Sequence, residues 1–148
     1  MKLFFVQHGK CLAREINESR PLSDKGKTDS ERVASLLHKN GVSVSGVYHS
    51  GKLRAQQTAE IFAETLRIGN IHQLSGMEPN DDVGYLADQL EPDAMYVGHL
   101  PHIDRVVSYL VSGDSDAQVA TFRNSGAACL QRTESGYHIQ WLVTPEIC

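Results

Sequence analysis

The first apolar residues of the chain arrive as an unbroken run, Leu3-Phe4-Phe5-Val6, which ends at Gln7. A run without alternation suits a strand buried on both faces, as in the middle of a parallel sheet. Val47-Tyr48 and Ala94-Met95-Tyr96-Val97 are runs of the same kind. Between them the period changes. Val33, Leu36 and Leu37 recur at helical spacing behind a start signal at Ser23. Ala55, Ala59, Phe62, Ala63 and Leu66 keep one apolar face, with Gly69 as the stop. Ile103, Val106, Val107, Leu110 and Val111 repeat the pattern, with Pro101 near the first helical position and Gly113 at the end. Past Gly113 the texture shifts again. Phe122 to Arg132 and Tyr137 to Val143 are rich in strand formers and are joined through Glu134-Ser135-Gly136 as a hairpin.

Strands alternating with helices predict a three-layer α/β/α sandwich with a mostly parallel central sheet, closed by the late hairpin. Strands at roughly 2–7, 46–49 and 94–98 are expected to lie adjacent and parallel. The 148 residues suit one domain, 1–148, large enough to bury a core without staples. No repeat, linker or low-complexity tract interrupts it.

Composition narrows the partners. A net charge of -4 without a run of like charges argues against nucleic acid and against a polybasic membrane patch. The apolar runs are strand-length, too short to span a bilayer, and the N-terminal one is too short for a signal peptide. Cys11, Cys129 and Cys148 are odd in number and widely spaced, which suits a reducing compartment, with the cytoplasm as the default.

Three polar clusters follow three of the predicted strands: Gln7-His8-Gly9, His49-Ser50 leading to Arg54, and Gly98-His99. Ligands of open α/β sheets bind outside the C-terminal strand ends, so His8, Arg54 and His99 are expected to share one crevice. A single histidine more often packs or makes a local hydrogen bond, and His38, His49, His72, His102 and His138 are read that way. His8 and His99 stand apart because each follows an apolar run and has a glycine neighbour, which lets backbone approach a ligand. A metal site is not expected: no HxH, HExxH or CxxC spacing occurs, and the cysteines are scattered.

These clusters resemble the blocks of the histidine phosphatase superfamily, the phosphoglycerate-mutase-like fold. Gln7-His8-Gly9 is similar to its Arg-His-Gly. Ser50-Gly51-Lys52-Leu53-Arg54-Ala55-Gln56-Gln57-Thr58-Ala59 matches its Ser-x-x-x-Arg-Ala-x-Gln-Thr-Ala, and Gly98-His99-Leu100-Pro101 its Gly-His-x-Pro. Arg20-Pro21-Leu22-Ser23-Asp24-Lys25-Gly26 looks like its Pro-Leu-Ser/Thr-x-x-Gly helix start. The chain has little room for the lid of larger members. With the Arg20-Pro21-Leu22 entry and Asp82-Val83-Gly84 following Pro79, it is most similar to the SixA-type phosphohistidine phosphatases.

The resemblance implies a catalytic set of His8, Arg54 and His99 and a phosphate site of Gln7, His8, Gly9, Arg54 and His99, with no cofactor. His8 would be the nucleophile that carries the phosphoryl group. Arg54 would clamp phosphoryl oxygens, and a protonated His99 would add a donor and a charge. Glu78 and Asp82 are the candidates for a general acid. A lidless, shallow site suits a phosphorylated histidine protein as substrate.

Gln7 departs from the pattern. An amide keeps a donor but loses a charged fork worth roughly 1.5–3 kcal/mol, a loss of about 10–100-fold in rate. Lys10 and Arg14 are the nearest cations in sequence. Gly51 stands where proline is often found, a change of loop stiffness. Two functions follow: a phosphohistidine phosphatase with an imperfect pocket, or a relative that binds phosphoproteins or anions without turnover.

Overall fold

The computed structural model describes residues 1–148. Its strands are β1 (Lys2–Gln7), β2 (Val47–His49), β3 (Ile71–Gln73), β4 (Met95–Gly98), β5 (Ala127–Thr133) and β6 (Gly136–Val143). Its helices are α1 (Asp24–Lys39), α2 (Leu53–Leu66), α3 (Val83–Ala87) and α4 (His102–Ser112). All six strands form one sheet in the order β3-β2-β4-β1-β5-β6. The first four are parallel, with Phe5 beside Tyr96 and Tyr48 also beside Tyr96; β5 and β6 run antiparallel.

The unbroken apolar run of β1 has a simple cause. Phe4 and Val6 enter one buried cluster with Val33, Leu37, Ala59 and Phe62 of α1 and α2. Leu3 and Phe5 enter another with Leu86 of α3 and Ile103 and Val107 of α4. Each side chain of the strand therefore meets a helix layer, and alternation with polar residues is excluded. The fold is the expected three-layer α/β/α sandwich with a mostly parallel sheet. No helix is long and apolar enough to cross a membrane.

β1 and β4 are neighbours, yet the chain leaves β1 for α1 on one face and β4 for α4 on the other. That divergence opens a crevice at their C-terminal ends, the place where open sheets hold ligands.

Some details differ from the sequence expectation. α2 ends at Leu66 because Arg67 turns left-handed at φ 60°, two residues before Gly69. The last strand pair begins at Ala127 rather than Phe122. Ser125 adopts φ 66°, and a Cβ on Gly126 would sit 2.9 Å from the Arg123 carbonyl oxygen, so the chain turns there. Phe122 instead packs into the α3–α4 core. β3 and α3 are additions.

Candidate active site

His8 leaves the end of β1 on a backbone clamped from three sides. Its N–H donates to the Gly98 carbonyl at 3.0 Å, Asn124 Nδ2 donates to its carbonyl at 3.0 Å, and the Gly9 N–H donates to Thr58 Oγ1 of α2 at 2.9 Å. Packing alone already requires a glycine at position 9. A Cβ there would lie 3.0 Å from Gly26 O, Ser30 Oγ and Ser125 Oγ. Gly26 is tighter still, since its Cβ would fall 2.1 Å from the Lys10 carbonyl, which explains a glycine in the first turn of α1. Gly98 is under no such constraint, with its nearest neighbour at 3.7 Å.

The ring of His8 lies with Nδ1 2.7 Å from the Gly9 carbonyl oxygen. A carbonyl can only accept, so Nδ1 carries the ring proton and Nε2 keeps its lone pair. Burial holds His8 down to about 4, opposed by the Gly9 bond and reinforced by Arg54 and Arg20. The ring is thus a neutral base with one free nitrogen.

The His99 ring centroid lies 5.1 Å from that of His8. His99 is 1% exposed, and its Nε2 shares a hydrogen bond of 2.6 Å with Ser50 Oγ. Burial, then the charges of His8 and Arg54, push it down to about 3. The cation expected at His99 is therefore absent in the free protein; it begins as a neutral ring oriented by Ser50. Sequence reading had no means of naming Ser50 for this, although it opens the second block.

Arg54 rises from the first turn of α2, whose N-cap position, Lys52, makes no side-chain capping bond. Ser23 caps α1 and Asp82 caps α3, so α2 alone of these three presents its first-turn N–H groups uncapped, at the end of the sheet that holds both histidines. An anion is favoured there. No carboxylate lies within ion-pairing distance of Arg54. Gly51 just before it has φ 91°, a conformation closed to proline, and its N–H donates to His49 Nδ1 at 3.1 Å. His49 is accordingly a local hydrogen-bonding residue, as expected.

The remaining predicted residues separate. Gln7 is 9% exposed, and its Oε1 is buried without a hydrogen-bond partner. Asp82 Oδ2 accepts from the Tyr85 N–H at 3.1 Å, so this carboxylate is a helix cap. Glu78 pairs with Lys52 Nζ at 3.5 Å, near His99, whose ring feels the Lys52 charge. None of the principal cavities is lined by His8, Arg54 or His99; the largest, about 500 Å³, lies toward the opposite end of the sheet by Lys2 and Trp141. His8 is half-buried and His99 is buried, outside those cavities.

At the strand termini the fold thus gathers a free imidazole nitrogen, a second ring, an unpaired guanidinium and an uncapped helix end, groups suited to an anion such as a phosphoryl group. The chain belongs to the histidine phosphatase superfamily (branch 1), whose family model matches residues 3–78. It is similar to phosphohistidine phosphatase SixA of Escherichia coli, 27% identical over 155 residues covering 98% of this chain and 94% of that one. An uncharacterized protein of Picosynechococcus sp. is 32% identical over 125 residues, 78% of this chain and 76% of that one. The structure of the protein histidine phosphatase SixA complexed with tungstate superposes with a TM-score of 0.88 at 26% identity, covering 99% of both chains. A phosphoserine phosphatase of Entamoeba histolytica shares the fold, with a TM-score of 0.74 at 15% identity over 98% of both chains.

Proposed function

We propose that this chain removes phosphoryl groups from phosphohistidine on proteins, through a phosphorylated His8. The observation that carries the reading is the His8 tautomer: Nδ1–H is tied to Gly9, which leaves the Nε2 lone pair free beside Arg54 and His99. Nε2 attacks phosphorus in line, and the P–N bond of the substrate breaks with its electron pair staying on the leaving imidazole, which takes a proton from water. Water then attacks the phosphorus on His8, inorganic phosphate departs, and the free nitrogen is restored. Arg54 holds the equatorial oxygens through both steps, and the neutral His99 ring adds its N–H as a donor.

A leaving imidazole is itself basic, so this substrate needs no strong acid. That agrees with a site whose acidic neighbours are committed elsewhere, Asp82 to a cap and Glu78 to Lys52. The likeness to SixA supports a protein as the phosphoryl carrier. The reading includes one functional unit over residues 1–148, and three free thiols, in keeping with work in the cytoplasm.

The test is hydrolysis of a phosphohistidine-bearing carrier protein, with acid-labile phosphate sought on the chain itself. His8→Ala is expected to reduce turnover about 10³-fold or more and to abolish that label. Turnover that survives the substitution sinks the proposal. Anion binding without turnover in the wild type would establish the binding module instead.

A further inference from the structure

Gln7 leaves the site one guanidinium short of the family pattern. Arg14 is exposed and its charge reaches Arg54 but not His8, whereas the half-buried Arg20 is felt by both. The β1–α1 loop closes on itself at its mouth. The Leu12 N–H donates to Pro21 O at 2.8 Å, the Ser23 N–H donates to Lys10 O at 2.9 Å, and Cys11 bridges Leu22. The closed loop is then fastened to α2, where the Leu22 N–H donates to Gln57 Oε1 at 2.7 Å. Gln57 is three residues beyond Arg54, on the same helix face. Arg20, two residues before Leu22, is thereby held on the side of α2 that carries Arg54.

Its backbone takes φ 51°, a conformation uncommon for a residue with a side chain. Its side chain folds back over the loop, with Nε donating to Leu12 O at 3.4 Å and Nη2 to Cys11 Sγ at 3.4 Å. No carboxylate pairs with it. Two half-buried guanidiniums gathered without an acid repel one another, an arrangement that an anion between them relieves. The Arg20 charge is the strongest neighbouring charge felt by Arg54, and His8 feels it too.

We infer that Arg20 is the second phosphate-binding guanidinium of this site and supplies the charge that Gln7 lacks. The inference rests on the phosphatase reading above and goes beyond it by assigning a residue outside the His8, Arg54 and His99 set.

The experiment measures tungstate and inorganic phosphate affinity by calorimetry, with turnover on the phosphohistidine carrier, in six proteins. These are wild type, Arg20→Asn, Arg20→Lys, Gln7→Arg, the Gln7→Arg/Arg20→Asn double variant, and Arg132→Asn as a remote control. Asparagine tolerates the left-handed backbone, so the first variant tests the side chain rather than the loop. Arg132 lies over the Tyr137 ring on the hairpin and should change neither quantity. Arg20→Asn is expected to weaken tungstate binding and turnover about 10-fold or more, and Arg20→Lys by less, because the charge remains without the fork. Gln7→Arg should gain little in the wild type and much more in Arg20→Asn. Wild-type affinity in Arg20→Asn, or equal gains from Gln7→Arg in both backgrounds, overturns the inference while leaving the phosphatase reading intact. Failure of the wild type to bind tungstate at millimolar concentration overturns both.

Discussion

Two loops flank the histidines, and they use charge in opposite ways. The β1–α1 loop carries Lys10, Arg14 and Arg20, and none of these is paired with a carboxylate. The β3–α3 loop carries Glu78, Asp81 and Asp82, and all three are engaged. Glu78 pairs with Lys52, Asp81 Oδ2 accepts from the Glu78 N–H at 2.8 Å, and Asp82 caps α3. The acidic loop spends its charge on its own shape. The basic loop spends backbone bonds on its shape and leaves its charge for something else. An unpaired, partly desolvated cation is a stronger sign of a ligand than the number of charged residues, because burial without a partner has a cost that only binding offsets.

If no carboxylate of the acidic loop reaches the rings, His8 and His99 stay neutral across the ordinary range, and stability acquires a definite pH dependence. Their folded values, about 4 and about 3, lie below the ordinary 6.5. Below 6.5 the unfolded chain binds protons that the folded one refuses, so the sign is a loss of stability on acidification. The two rings' contribution is full above 6.5 and is lost as pH falls toward about 4 for His8 and about 3 for His99. Urea midpoints between pH 7 and 4, repeated with His99→Gln, are expected to show this slope, shallower in the variant. A flat profile would mean that an acid reaches the site after all.

A smaller effect separates cap from catalyst. Asp82→Ala should lower stability by about 1 kcal/mol through loss of the α3 cap, with phosphohistidine turnover nearly unchanged. Denaturation and a kinetic assay on one preparation read both. Smallest of all, Glu78→Gln should alter turnover on phosphohistidine by no more than about 3-fold, whereas a general acid is worth about 10²–10⁴-fold. A loss in that larger range, steeper on substrates with poorer leaving groups, would return Glu78 to the chemistry.

The strands that build the crevice were legible because β1, β2 and β4 are covered on both faces and so are written as apolar runs. β3 is three residues at the sheet edge, Ile71-His72-Gln73, with only Ile71 half-buried, and so short a polar segment has no period to read. α3, five residues long, is likewise below the length at which a helical stripe appears. His8, Arg54 and His99 could be placed together because each follows directly on a strand end or opens the next helix. Arg20 could not, since its position depends on a loop fold held by Gln57, far along the chain. Glu78 and Asp82 looked alike in sequence; only the direction of each carboxylate separates a cap from a rim residue.

The half-buried setting of His8 also bears on where a phosphoryl group would go under the proposed mechanism. Partition between hydrolysis and transfer is set by which acceptor reaches phosphorus first. Enzymes that pass the group to a second substrate close over the intermediate to keep solvent out. His8 is half-buried rather than sealed in any of the principal cavities, so under the proposed mechanism water has a route to a phosphoryl group on its Nε2. With water in vast excess, the proposed intermediate is expected to release inorganic phosphate, and transfer to a second substrate on this scaffold would require a cover that excludes water.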